Sequence, residues 1–402
     1  MISKQIIELV MRSQREFLDK IDLGTPREKE IKIEESFAIV ITGIRRCGKS
    51  TLLNQVLRRH KKGYYLNLED PRLDGFELAD FNKAEEVMRE VYGDGGVFFF
   101  DEIQNVSKWE KFIRYLVDKK ERVVITGSNA ALLSRELGTK LTGRHLQTEI
   151  FPFSYKEFLV MKKKSPAINT CDDYLLEGGF PEYLKKGDAG ILHELLYDIL
   201  AKDIAVRFGI KNTTILNKTL LYLLSNIGKE FSYNSIKKMF AVKSVQSIID
   251  YIAYFENAYL IFTIPRFSYS YKQQQVNPKK VYSIDNGFSY ANSTSFSKDK
   301  GRMLENLAFL ALRRKFKEIF YFKETNECDF IVKQRDKITD AIQVCFELNE
   351  ENKEREINGL LESLKKFDLN EGEILTHNQK EEFVIDGKKI RVKPMWEWLM
   401  EK

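Results

Sequence analysis

The sequence predicts an α/β protein with a parallel-sheet phosphate-loop domain, a helical middle ending in a winged-helix pattern, and a second α/β region at the C-terminal end. Three observations carry this reading. Short apolar runs alternate with helical patterns through the first third of the chain, the signature of a parallel sheet covered on both faces. A glycine-rich loop, Gly43–Thr51, stands between one such run and a helical pattern. From Gly301 onward the alternation of helix and strand patterns starts again.

Residues 1–35 read as a helix followed by a charged linker, with Ile6, Leu9, Val10, Phe17 and Leu18 on one side. The strand candidates follow at Phe37–Thr42, Gly63–Leu68, Val97–Phe100, Arg122–Thr126 and Leu146–Ile150. Together they define a first domain over 1–153. Residues 154–210 read as mainly helical, with Ile191–Phe208 the clearest helix and Gly178-Gly179-Phe180-Pro181 a turn. Residues 211–300 carry the winged-helix pattern. Helices are expected at Ile215–Ile227, Ser232–Phe240 (N-capped by Ser232) and Ser244–Asn257. Strands at Tyr259–Phe267 and Lys280–Ile284 follow, joined by the polar Tyr269–Pro278. The last domain, 301–402, opens with a helix at Arg302–Phe316. Strands are expected at Ile319–Lys323, Cys328–Lys333 and Ile338–Phe346, then a helix at Glu350–Phe367 and strands at Glu373–Thr376 and Glu382–Ile385. Residues 388–393 are extended, and Met395–Met400 forms a short helix.

Composition sets bounds on function. The chain has 402 residues, 43% apolar and 31% charged, as in a multidomain globular protein. No apolar run is long enough to cross a bilayer, so no membrane partner is expected. The start, Met-Ile-Ser-Lys-Gln, has no secretion pattern. Cys47, Cys171, Cys328 and Cys345 have neither metal nor disulfide spacing, which fits a reducing, cytoplasmic setting. Net charge is +6, and it is uneven: residues 211–300 hold 12 Lys and Arg against 5 Asp and Glu, whereas residues 301–402 hold 19 against 21. The middle of the chain is therefore the expected contact for an anion such as DNA.

The loop Gly43-Ile44-Arg45-Arg46-Cys47-Gly48-Lys49-Ser50-Thr51 matches G-x-x-x-x-G-K-[ST] completely. Glycines let backbone N–H groups turn inward around phosphates, and the following helix adds the positive end of its dipole. Lys49 can reach the β and γ phosphates of ATP, and Ser50 can ligate Mg²⁺. The strand Val97–Phe100 ends in Asp101 and Glu102. At the ligand edge of a parallel sheet, Asp101 would anchor Mg²⁺ and Glu102 would polarise the attacking water. The strand Val123–Thr126 runs into Gly127-Ser128-Asn129, where either Ser128 or Asn129 could contact the γ phosphate. Arg144, with Arg135 as the competing choice, is a candidate to stabilise transition-state charge from a neighbouring subunit of a homo-oligomer.

These motifs, in this order, resemble those of an AAA-type ATPase. Leu141–Arg144, the run Phe151-Pro152-Phe153-Ser154-Tyr155-Lys156-Glu157-Phe158 and Glu177–Pro181 extend the resemblance to a bacterial and archaeal group that joins this ATPase domain to a C-terminal domain of unknown function. In that group the C-terminal domain resembles the PD-(D/E)XK nuclease fold. The resemblance maps onto Glu305, Asp329 and Gln343, but Cys345 stands where an active member has lysine. It therefore implies a degenerate nuclease-like domain. The expected activity is Mg²⁺-dependent ATP hydrolysis coupled to conformational change on a DNA or protein partner. The alternatives are a slow nucleotide-gated switch and, third, an ATP-dependent nuclease.

Overall fold

The computed structural model describes residues 1–127, 143–293 and 299–401. Ser128, Asn129 and Arg135 lie outside the described residues.

Residues Met1–Phe151 form one compact unit. Helix α1 (Lys4–Lys20) starts at Ser3, whose hydroxyl accepts the Ile6 N–H. It buries Ile7, Val10, Met11, Gln14 and Leu18. This corrects the expected stripe, since Ile6, Leu9 and Phe17 are 43%, 61% and 65% exposed. Apolar residues lie on more than one side of this helix, so periodicity could not choose the inward face. Tertiary hydrogen bonding helps choose it: the Gln14 amide donates to the Asn67 carbonyl and the Asp70 carboxylate and accepts the Asn67 N–H.

The expected strands form as β1 (Ala38–Gly43), β2 (Gly63–Asn67), β3 (Val97–Asp101), β4 (Val123–Gly127) and β5 (His145–Ile150), with α2 (Lys49–Leu57), α3 (Asp80–Tyr92) and α4 (Trp109–Asp118) between them. They make one parallel sheet in the order β2-β3-β4-β1-β5. Strands β1, β3 and β4 are buried along their whole length, which is why they read as continuous apolar runs. Phe81 of α3 and Phe112 of α4 stack at 4.5 Å, and both rings meet Phe100 of β3 edge-on. Register sets the functional edge. Phe100 pairs with Ile125 and Asn67 with Asp101, so Asp101 lies level with Thr126, at the same end as the loop that leaves β1.

Residues Pro152–Lys402 form the second compact unit. It opens with α5 (Tyr155–Lys162), whose Ser154 and Glu157 form a reciprocal capping box. Helices α6 (Ile168–Glu177) and α7 (Pro181–Lys186) flank the predicted Gly-Gly turn. Gly178 has φ +71°, and a Cβ there would lie 2.1 Å from the Asp285 carboxylate. Gly179 donates to that carboxylate at 2.6 Å and accepts the Phe153 N–H at 2.7 Å, so the pair is needed for close approach as well as for turning. Burial pushes the Asp285 carboxyl up to about 6, against the backbone donors Phe288 and Gly179. The helix expected over Ile191–Phe208 is α8 (Gly190–Asp198) continued by a π-helical stretch, Ile199–Val206.

Next come α9 (Thr214–Leu224), β6 (Glu230–Phe231), α10 (Tyr233–Met239), α11 (Val245–Asn257), β7 (Ile261–Pro265), α12 (Tyr271–Val276), β8 (Lys279–Ser283) and α13 (Asn286–Asn292). Ser232 caps α10 as the sequence predicts. The segment Tyr269–Pro278, read as a plain polar connection, contains α12, capped by Ser270. The three strands pair antiparallel in the order β6-β8-β7. The chain then runs through α14 (Lys300–Arg313), β9 (Glu318–Lys323), β10 (Glu327–Gln334), β11 (Lys337–Val344), α15 (Lys353–Lys366), β12 (Glu371–Thr376), β13 (Glu381–Ile385), β14 (Lys388–Pro394) and α16 (Met395–Glu401). Its six-stranded sheet has the order β13-β14-β12-β11-β10-β9, with β11, β12 and β14 mutually parallel and the remaining pairs antiparallel. The extended residues 388–393 are thus a paired strand.

Candidate functional site

The loop Gly43–Thr51 turns from β1 into the start of α2. Gly43 faces the Ile150 carbonyl of β5 so closely that a Cβ would lie 2.1 Å from that oxygen. Gly48 has φ +98°, a left-handed conformation that favours glycine, and it N-caps α2 without a side-chain cap bond. Gly48 therefore brings no capping side-chain oxygen to compete with an anion docking at the start of α2. Lys49 is buried at 4% exposure, and its Nζ donates to the carbonyls of Gly43 and Ile44 at 3.2 and 3.1 Å. Its ammonium is thus held inside the curl of the loop. Cys47 is wholly buried; burial raises its thiol, which donates to the Ile150 carbonyl at 3.5 Å.

The two acids differ. Asp101 is 1% exposed. Its Oδ1 accepts Ser50 Oγ at 3.2 Å and the Thr126 hydroxyl, and its Oδ2 accepts the Tyr65 hydroxyl at 3.1 Å. Burial pushes its carboxyl upward; the Thr126 donor opposes that, the neighbouring Glu102 charge adds to it, and Ser50 and Tyr65 oppose it. A buried acid beside a serine hydroxyl at a loop with a lysine fits a divalent cation, since a cation would relieve the burial cost of its charge. Glu102 is half-buried and sits at φ +50°, left-handed for a non-glycine residue, a strain of about 1–3 kcal/mol of the kind retained at functional sites. Its side chain accepts from Gln104 Nε2, and its N–H donates to Thr126 Oγ1 at 3.0 Å.

Gly43, Gly48, Lys49, Ser50, Asp101 and Glu102 thus gather at one end of the sheet. Arg144 does not join them within the chain. It precedes β5, where His145 pairs with Ala38 at the far end of β1 from the loop, and its guanidinium pairs with Asp118. Three contributors were missed in the sequence. Tyr65 and Thr126 are strand residues whose hydroxyls meet Asp101; a polar side chain closing an apolar run was the available signal at Thr126. Arg27, in the charged linker, donates to the carbonyls of Cys47 at 3.0 Å and Phe151 at 2.6 Å. Gln55 of α2 holds the same linker through the Leu23 and Thr25 carbonyls at 2.7 and 3.0 Å. A cavity of about 530 Å³ opens beside Ser50, Thr51 and Asp101, walled by α1 and Tyr65. A larger groove of about 1400 Å³ between residues 68–82 and 105–115 contains none of the phosphate-loop residues.

The C-terminal acids also converge. Glu305 on α14 and Asp329 on β10 both meet Lys280 of β8, at 3.2 and 2.8 Å. Lys280 is 3% exposed, so this lysine of the basic 211–300 stretch is buried and cannot meet the DNA expected there. Gln343 accepts the Asp329 N–H at 3.1 Å, and its amide is held by Glu356. Cys345 packs in the apolar core of the six-stranded sheet, and burial pushes its thiol up to about 12. No helix among the described residues is long and apolar enough to cross a membrane.

The fold and the loop together define a nucleotide-binding, AAA-type P-loop ATPase domain. The family described as an AAA domain matches residues 35–159, and the family described as Domain of unknown function (DUF8612) matches residues 168–299. The chain is 37% identical to an uncharacterized protein of Methanocaldococcus jannaschii, across 99% of this chain and 96% of the relative. It is 30% identical to an uncharacterized protein of Haemophilus influenzae, across 92% of this chain and 95% of the relative. It belongs to the same family as these relatives and combines an AAA domain with a domain of unknown function. AMPPCP-bound DnaA from Aquifex aeolicus is similar at 17% identity and a TM-score of 0.27, over 64% of this chain and 89% of that one, a likeness too slight to carry an argument.

Proposed function

We propose that this protein hydrolyses ATP to ADP and phosphate with Mg²⁺ and couples turnover to a conformational change on a DNA or protein partner. The observation that carries the reading is the shared bonding of Ser50, Asp101, Thr126 and Glu102 at the mouth of the phosphate loop. Lys49 would leave its two loop carbonyls for the β and γ phosphates, exchanging neutral acceptors for charged ones. Ser50 and Asp101 would hold Mg²⁺, which when bound supplies charge neutralisation at the phosphates. Glu102, next to Asp101 and oriented by Gln104 and the Thr126 hydroxyl, would polarise the attacking water. Asn129 and Ser128 remain candidates for the γ phosphate, and Arg144 for transition-state charge across a subunit boundary. We assign 1–153 to the ATPase domain, 154–210 to a helical lid or linker region, 211–300 to a winged-helix-like domain and 301–402 to a degenerate nuclease-like domain.

Two features support the winged-helix reading. The order helix, strand, two helices and two further strands, the last two joined through α12 and with β6 paired to β8, is consistent with a helical triad backed by a wing. Lys238 and Lys243 are exposed at the end of α10 and just before α11, where phosphates could reach them. ATP turnover with and without duplex DNA tests the whole proposal: no turnover with Mg²⁺ under any partner would sink the hydrolase reading, and partner-independent turnover would sink the coupling to DNA.

A further inference from the structure

Three carboxylates meet around one buried ammonium between the two sheets of the second unit, and the partly exposed Glu327 also reaches a second, Lys323. Lys280 Nζ lies 2.8 Å from Asp329 Oδ1, 2.8 Å from Glu327 Oε1 and 3.2 Å from Glu305 Oε1. The lysine side chain is 4% exposed. The rest of the centre is satisfied around it. Tyr282 donates to Glu305 at 2.7 Å, the Val344 N–H donates to Asp329 Oδ2 at 3.0 Å, and Lys323 pairs with Glu327 at 2.9 Å. The side-chain oxygen of Gln343 is taken by the Asp329 N–H.

Acids brought together in a nuclease-like centre ordinarily need a divalent cation, because buried carboxylates repel one another unless a cation lies among them. The residues present do not fit such an ion while Lys280 is seated, because its ammonium stands within hydrogen-bond distance of all three acids. Among the described residues no cluster of three or more His, Cys, Asp or Glu is arranged to hold a metal. The lysine is delivered by strand geometry. Lys280 and Tyr282 are two apart on β8 and both reach Glu305, while Lys279 is directed to the Tyr233 ring at 5.4 Å.

We propose that Lys280 is the built-in cation of this centre: seated, it closes the acidic cleft to divalent metal and pins the β7–β8 hairpin to the six-stranded sheet, and without it the cleft takes one divalent cation. The ammonium contributes one charge where a metal would bring two, and it is tethered, so the cleft is neutralised in part without a diffusible ligand. The same contacts bind the hairpin covalently connected to α10 and α11 to α14 and β10. Movement of that hairpin and access to the acids are therefore one event.

The test is Mn²⁺ binding to the full-length, nucleotide-free protein, followed by electron paramagnetic resonance of free Mn²⁺. Lys280→Met keeps the stem and removes the charge. It should bind one Mn²⁺ more than the parent protein, and Lys280→Met/Asp329→Asn should lose that ion again. Asp329→Asn alone should bind as the parent does, because any ion held near Ser50 and Asp101 is common to all arms. A parent protein that loses an Mn²⁺ on Asp329→Asn would overturn the proposal, and so would a folded Lys280→Met protein with no added ion. If Lys280→Met does not fold, Lys280→Met/Glu305→Gln/Asp329→Asn should restore folding by removing the unpaired charges. Failure of that triple variant to fold would refute a role for Lys280 as the cation.

Discussion

The Thr126 hydroxyl oxygen accepts the backbone N–H of Glu102 at 3.0 Å, and the same hydroxyl donates to the carboxylate of Asp101. One side chain of β4 therefore fixes both acids at the end of β3. Thr126→Val keeps the shape and removes the hydroxyl. A hydrogen bond to a charged group is worth about 1.5–3 kcal/mol, so turnover should fall by roughly 10- to 100-fold, with a higher Mg²⁺ requirement. Phosphate release against Mg²⁺ concentration measures this; unchanged kinetics would mean that Thr126 only packs.

Lys49→Ala and Glu102→Gln should separate binding from chemistry. Loss of the ammonium should abolish ATP binding or weaken it greatly. Glu102→Gln should keep binding and lower turnover by about 100- to 10,000-fold, the range for a lost general base. Nucleotide titration calorimetry beside phosphate release distinguishes the two, and equal loss of binding in both would reject the assigned roles.

Arg144 is exposed and pairs with Asp118 of its own chain. A surface pair of this kind contributes about 0–1 kcal/mol, so Arg144→Ala should leave folding and nucleotide affinity nearly intact. If the arginine acts in trans, turnover should fall, and mixing the variant with Glu102→Gln protein should restore part of it. Mixtures shown to exchange subunits and still inactive would argue for an arginine that acts in cis or only structurally.

DNA binding by residues 211–300 should now be sought at Lys238 and Lys243, because Lys280 is buried. In the full-length protein, each lysine that meets a phosphate should contribute about 0.9 to the slope of log affinity against log salt. Lys238→Ala/Lys243→Ala should flatten that slope by up to about 1.8. A slope that does not change would remove these residues from any interface.

The second unit should not cleave single- or double-stranded DNA or RNA with Mg²⁺ or Mn²⁺, with or without ATP. Lys280 occupies the acids, Gln343 is neutral, and Cys345 is a buried thiol. Asp329→Ala breaks a buried ion pair and should cost about 3–5 kcal/mol of stability while leaving ATP hydrolysis at the first unit in place. Labelled substrates beside this variant are the assay; cleavage by the parent and not by Asp329→Ala would establish a working nuclease.

The linear chain determined the parallel sheet and its phosphate loop. Strands buried on both faces must be apolar throughout, as β1, β3 and β4 are, and a loop that wraps phosphates must carry Gly43, Gly48, Lys49 and Ser50 at fixed spacing. Both are local requirements, so they leave a local pattern. Capping did the same at Ser232, where a side chain meets a backbone group three residues on. Only the tertiary structure decided which face of α1 turns inward, because Gln14 finds its partners at Asn67 and Asp70, more than fifty residues away. Only register decided that Tyr65 and Thr126 would meet Asp101, since a one-residue slip would turn either hydroxyl to the other face. Lys280 is the clearest case. In sequence it is one of two adjacent lysines in the most basic stretch of the chain. The pleat of β8 and the approach of α14 and β10 turn it from an apparent phosphate contact into a buried counter-charge, because a carboxylate cluster removed from water stabilises the nearest cation that can reach it.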